Sequence, residues 1–239
     1  MRAARRHGRC GTPSQPDMRE LTLRSRRGAP LRILCLGAHS DDIEIGCGGL
    51  ILDLLAAQPT TSVHWVVFSG NAGRAREARA SARSFLRGAR RPSVVIHRFR
   101  DGFFPYEGDR IKTVFERLKQ TLPAPDLVLT HYRDDRHQDH RTISDLTWNT
   151  FRDHVVLEYE VPKYDGDLGT PNCYVPLART TCERKVAMLM EVFGTQRDRH
   201  WFSPETFLGL MRLRGIECRA AEGYAEAFYA RKLSFSIAS

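Results

Sequence analysis

The chain has 239 residues and 41% hydrophobic content, enough for one well-buried core, and no run approaches the roughly 18 to 20 apolar residues that a membrane span requires. Its formal charge of +9 invites a nucleic-acid reading, but eight arginines against Asp17 and Glu20 place +6 on residues 1–28 and leave only +3 on the rest. The basicity is that of a tail, without the apolar centre of a secretory signal and without an aromatic residue to stack on bases, so a solvated, disordered arm or an over-long start upstream of Met18 is expected rather than a specific nucleic-acid site.

From residue 31 short β-rich runs alternate with longer helix-period segments. LRILCLGA (31–38), SVHWVVFS (62–69), SVVIHRF (93–99) and DLVLTHY (126–132) read as strands. Between them IGCGGLILDLLAAQ, RAREARASARSFLRGA and DRIKTVFERLKQTL are each long enough for three or four helical turns. Near-continuous apolar strands alternating with amphipathic helices predict a single α/β domain over residues 29–239. Its expected form is Rossmann-like and doubly wound, a mostly parallel sheet with helices on both faces.

Further on, RTISDLTWNTF reads as a helix and VVLEYEVPKYD begins as a strand. Asp165, Gly166, Asp167, Gly169, Pro171 and Asn172 mark a loop. ERKVAMLMEVF and PETFLGLMRLRG read as helices, the second capped by Ser203 with Pro204 at its first position, and YAEAFYARKLSF closes as a late strand. The six cysteines show no C-x-x-C pair or regular spacing, so neither a structural zinc cluster nor a disulfide framework is signalled, and a reducing, cytoplasmic setting fits best.

Two polar clusters interrupt this pattern where strands end. HSDD follows the first strand, and HYRDDRHQDH (131–140) follows the fourth. Ligands of parallel α/β sheets bind outside the carboxyl ends of the strands, so both clusters are expected at one rim. Imidazole nitrogens and carboxylate oxygens suit Zn²⁺, and a catalytic zinc takes about three protein groups. His39 with Asp42 makes a two-ligand claw that His140 completes. Asp41 is then free to take a proton from water, His137 to serve an oxyanion or leaving group, and Asp139 to hold one histidine in its tautomer.

An Asp-rich turn capping a helix explains the first cluster alone about as well, but gives no reason for the histidines of the second. Asp134 and Asp135 fit either a supporting role or solvated loop carboxylates. Gly46, Gly48 and Gly49 lack any phosphate-loop pattern and read as close packing of a helix on the sheet.

AHSDDIEIGCGG followed by HQDH resembles the PIG-L/LmbE-like family of zinc-dependent N-deacetylases, most closely over residues 31 to 145. The resemblance implies metal ligation by His39, Asp42 and His140, Asp41 as general base, and a protonated His137 that stabilises the oxyanion and protonates the amine. It also implies that Arg74, in an R-x-x-E pattern with Glu77, and Asp101 contact substrate. Ser40 and Gln138 stand where the family commonly has proline, which leaves the ligand spacing intact. The expected activity is removal of the acetyl group from an N-acetylglucosamine-type sugar or conjugate, releasing acetate and an amine. Hydrolysis of another amide or carbamoyl group, and nucleic-acid binding through the arm, are the alternatives, and a homo-oligomer is compatible with the sequence.

Overall fold

The computed structural model describes residues 21–23 and 29–234; the basic arm lies almost wholly outside the described residues. Five strands are parallel: β1 (Arg32–Gly37), β2 (Ser62–Ser69), β3 (Ser93–Phe99), β4 (Leu127–His131) and β5 (Val155–Tyr159). Two more, β6 (Cys173–Leu177) and β7 (Tyr224–Ala230), are antiparallel additions, and the sheet runs β3-β2-β1-β4-β5-β7-β6. Among the described residues six α-helices connect them: α1 (Asp42–Ala57), α2 (Ala72–Phe85), α3 (Gly108–Thr121), α4 (Gln138–Thr150), α5 (Arg179–Val192) and α6 (Pro204–Glu217).

Alternation along β1 divides the core. Ile33 and Cys35 join the cluster formed with Leu52 of α1, Phe85 of α2, Leu189 of α5 and Met211 of α6. Leu34 and Leu36 join the smaller cluster with Ile111 and Phe115 of α3 and Ile143 of α4. Successive strand residues face opposite sides, so a strand apolar at every position is one buried on both. The expected doubly wound sheet is the one observed.

The strand order places a topological switch between β1 and β4, which pair directly through Ile33 with Leu127, Leu34 with Val128 and Cys35 with Leu129. From β1 the chain winds outward through α1 to β2 and β3, then crosses back through α3 to β4. The loops leaving β1 and β4 therefore diverge and leave a crevice between them.

Helix α1 begins three residues earlier than its apolar pattern predicts, so Asp42 and Glu44 fall in its first turn, and it breaks at Cys47 (φ −144°, ψ 18°). The break frees backbone groups in the interior, where they need partners. Gly49 and Leu50 donate their N–H groups to the two oxygens of Glu226 on β7, both at 2.7 Å. Lys185 of α5 donates to the Ile45 carbonyl at 2.6 Å and to Glu226 at 2.7 Å. The glycines permit the close approach: a Cβ on Gly46 would lie 2.1 Å from the Tyr159 ring.

One strand went unread in the sequence and one expected end needs correction. The stretch CYVPL forms edge strand β6, which its Pro176 and short length had hidden; proline is tolerated at an edge because no ladder bond is lost. The late strand stops at Ala230 rather than running on to residue 235.

Candidate active site

Loops after β1, β3 and β4 converge on a cleft of about 200 Å³ lined by His39, Asp41, Asp42, Arg74, Asp101, His137 and His140. Asp139 sits behind it, fully buried. The eight residues given a metal, catalytic or substrate role from the sequence, these seven and Asp139, are thus at or against one site.

The hydrogen bonds show how each side chain is held. The His39 N–H donates to Asp42 Oδ2 at 2.6 Å, folding the turn back on itself. Asp139 accepts the N–H groups of Gly102 (2.6 Å) and Phe104 (3.1 Å), pinning the loop after β3 to α4. Its Oδ2 also lies 3.3 Å from His39 Nε2, with the half-exposed Asp101 carboxylate at 3.1 Å from the same nitrogen. With Nε2 facing carboxylates, His39 turns Nδ1 inward.

There Nδ1 lies 3.1 Å from His140 Nε2 and 3.4 Å from Asp42 Oδ2, and the last two atoms are 3.6 Å apart. Ligands at about 2.0–2.1 Å around a tetrahedral zinc are separated by about 3.3–3.4 Å. The three atoms therefore have the spacing of one tetrahedral face, and the donor set fits the ion. His137 with His39 and His140, and His131 with Asp42 and His140, also bring ligand atoms within 4.8 Å of one another.

Asp41 occupies the cap position of α1 but makes no capping bond, which removes the helix-cap explanation of this cluster. Instead its Oδ1 accepts from Arg74 Nη2 at 2.7 Å, while Oδ2 is buried without a partner. Asn71 caps α2 through the N–H groups of Gly73 and Arg74, fixing the first turn from which Arg74 reaches. At the start of α4, His137 Nδ1 accepts the Asp139 N–H at 3.3 Å, leaving Nε2 as the protonated nitrogen of a neutral ring.

Sequence reasoning left one support, Asp135, open and missed two more, Lys163 and His131. Asp135, buried, accepts from His140 Nδ1 at 2.8 Å and, through its other oxygen, from the His137 N–H at 2.7 Å. Lys163 lies 3.0 Å from Asp135 Oδ2, the oxygen that faces His140, and 2.6 Å from Asp167. His131, at the end of β4, accepts the Ala38 N–H at 2.9 Å and sits 3.2 Å from Asp42. The inward position of His131 on a buried strand is a legible signal; the turn that brings Asp135 back to His140 carries none. Glu77 does not enter the cleft, since it binds Thr195.

The electrostatics favour positive charge at the centre. Burial works against an imidazolium at His39, yet Asp42, Asp101 and Asp139 outweigh it and raise its pKa well above the usual value. Burial, with His131 beside it, holds His140 neutral, down to about 3. Asp42 resists its own burial and stays well below the carboxylate range because His140, His131 and His39 face it. Burial lifts Asp41 to about 6, against the pull of Arg74. Burial and then the charge of His39 lower His137, in keeping with its neutral ring.

Residues 34–151 match the PIG-L family, described as GlcNAc-PI de-N-acetylase. The chain carries a PIG-L family domain. The family places the protein among hydrolytic N-deacetylases. No curated protein matches the chain by sequence. Among solved structures, the PIG-L fold is shared with N,N'-diacetylchitobiose deacetylase from Pyrococcus horikoshii, bound to an inhibitor (21% identity, 82% of each chain, TM-score 0.62). It is shared with 4-carboxy-2-hydroxymuconate hydratase from Pseudomonas putida (18% identity, 87% of this chain and 100% of that one, TM-score 0.67). A zinc-inhibited form of a teicoplanin deacetylase is similar too (14% identity, 83% and 97%, TM-score 0.60). At these identities the likeness is one of fold. No helix among the described residues is long and apolar enough to cross a membrane.

Proposed function

We propose that the protein is a zinc-dependent deacetylase of an N-acetylglucosamine-type sugar or sugar conjugate, releasing acetate and a free amine. The observation that carries this reading is the tetrahedral-face spacing of His39 Nδ1, Asp42 Oδ2 and His140 Nε2 beside a carboxylate, Asp41, with one oxygen unpaired. These three side chains would hold the ion. When bound, zinc supplies a Lewis acid that polarises the acetamide carbonyl and acidifies water.

The chain's own groups supply the rest. Asp41 Oδ2 takes the proton of the attacking water, with Oδ1 steadied by Arg74. The Nε2–H of His137 donates to the developing oxyanion. That interaction strengthens only as charge builds, so it raises turnover rather than affinity. The resemblance assigns a protonated His137 that also delivers a proton to the amine. The Asp139 N–H at its Nδ1 and its lowered pKa favour a neutral donor instead, with the amine proton returned by Asp41. Arg74 and Asp101 flank the space left for the sugar.

The test pairs metal analysis with acetate release across N-acetylglucosamine derivatives. Asp41→Asn is expected to retain zinc and lose roughly 10²–10⁴-fold in kcat; full activity in that variant overturns the assignment. A metal-dependent hydratase is the second reading, motivated by the hydratase of the same fold. Water consumption without acetate release on unsaturated carboxylates would favour it.

A further inference from the structure

Helix α2 carries two side chains one turn apart that reach in different directions. Arg74 holds Asp41 inside the cleft. Glu77 fastens a distant segment: its Oε1 accepts the Thr195 N–H at 3.0 Å and its Oε2 the Thr195 hydroxyl at 2.6 Å. Around this anchor Gln196 Nε2 donates to Thr195 Oγ1 at 3.2 Å, and Arg197 donates to the Met190 carbonyl of α5 at 3.0 Å. Trp201 packs edge-on against the buried Phe202, with ring centroids 5.6 Å apart. The turn between α5 and α6 is thereby held along its length, and Gln196, Arg199 and Trp201 of that turn line the cleft.

The charges lining the cleft are mostly satisfied by the protein itself. Arg74 neutralises Asp41, Lys163 lies between Asp135 and Asp167, and Asp101 faces His39. Among the described residues only Arg199 and Asp165 line the cleft as charged side chains without an ion pair or hydrogen bond, and Arg199 alone is a cation. A guanidinium is a planar fork that pairs two oxygens of a phosphate or carboxylate at once. The partly buried indole of Trp201, which lines the same cleft, offers a flat apolar face to the group bearing that anion.

We propose that the turn formed by residues 194–201 is the subsite for the portion of substrate beyond the N-acetyl sugar, and that Arg199 binds a phosphate or carboxylate on that portion. The proposal rests on the deacetylase reading and names the class of substrate that reading leaves open. Glu77 is the positioning residue, coupling the subsite to the helix that steadies Asp41.

The experiment measures acetate release by zinc-loaded wild type, Arg199→Gln, Arg199→Lys and Glu77→Ala. The substrates are N-acetylglucosamine 1-phosphate, an N-acetylglucosaminyl glycoside of glycolate, and the neutral methyl glycoside. Wild type is expected to prefer one or both anionic substrates, the two arms separating phosphate from carboxylate. Arg199→Gln should raise KM for the preferred anion by about tenfold with kcat little changed, leave the neutral glycoside within about twofold, and be partly rescued by Arg199→Lys. Glu77→Ala should show the same split in KM. Equal use of charged and neutral substrates, or an Arg199→Gln loss common to all three, overturns the subsite while leaving the deacetylase in place. No acetate from any of the three overturns both.

Discussion

Asp41 shows how much one residue's environment decides. Burial raises its pKa to about 6 and Arg74 opposes the rise. In its proposed role as base it would work only when ionised, so kcat/KM should climb with pH through that region. Arg74→Gln removes the opposing charge and should move the acidic limb of the profile to higher pH; a limb that stays in place would separate Arg74 from the base. Asp135 acts through another residue. It holds the outer nitrogen of His140, so Asp135→Asn is expected to weaken zinc binding about 10- to 100-fold, measured by competition with a chelator. Asp139 was legible in the sequence because it sits between two histidines of the motif. Asp135 was left open there, since only the folded turn brings its carboxylate to His140 Nδ1.

The broken helix α1 is the element on which the site depends. Its first turn carries Asp42, and its second segment starts with backbone donors buried against β7. Lys185 and Glu226 fill that break as a buried pair. Removing one member of such a pair leaves an uncompensated charge, so Lys185→Met or Glu226→Ala should lower unfolding stability by about 3–5 kcal/mol in urea titration. Replacing both with apolar residues should not restore it, because Glu226 also serves Gly49 and Leu50. Gly46→Ala is expected to cost about 1–3 kcal/mol by driving a methyl group into Tyr159, whose hydroxyl donates to the Leu36 carbonyl at 2.7 Å. The glycine run was readable as close packing. The break at Cys47 was not, since the partners that make it tolerable come from β7 and α5.

For the whole molecule, the site joins loops that only the sheet brings together, so a metal held across them should stabilise the fold as a unit. Zinc at 100 times its Kd should contribute about 2.7 kcal/mol and raise Tm, and His39→Ala should abolish the shift in a calorimetric scan. An unshifted Tm in wild type would deny that these loops share an ion.

Local chemistry by itself determined the alternating α/β pattern, the two polar clusters and the residue types fit for zinc, because apolar periodicity and side-chain donors are written directly in the chain. The pairing of β1 with β4, the spacing of three ligand atoms, the supports from Asp135 and Lys163, and the turn that presents Arg199 were decided only by the tertiary structure. Each depends on distances between segments far apart in sequence, and those distances are set by strand order and helix packing, which no single segment contains.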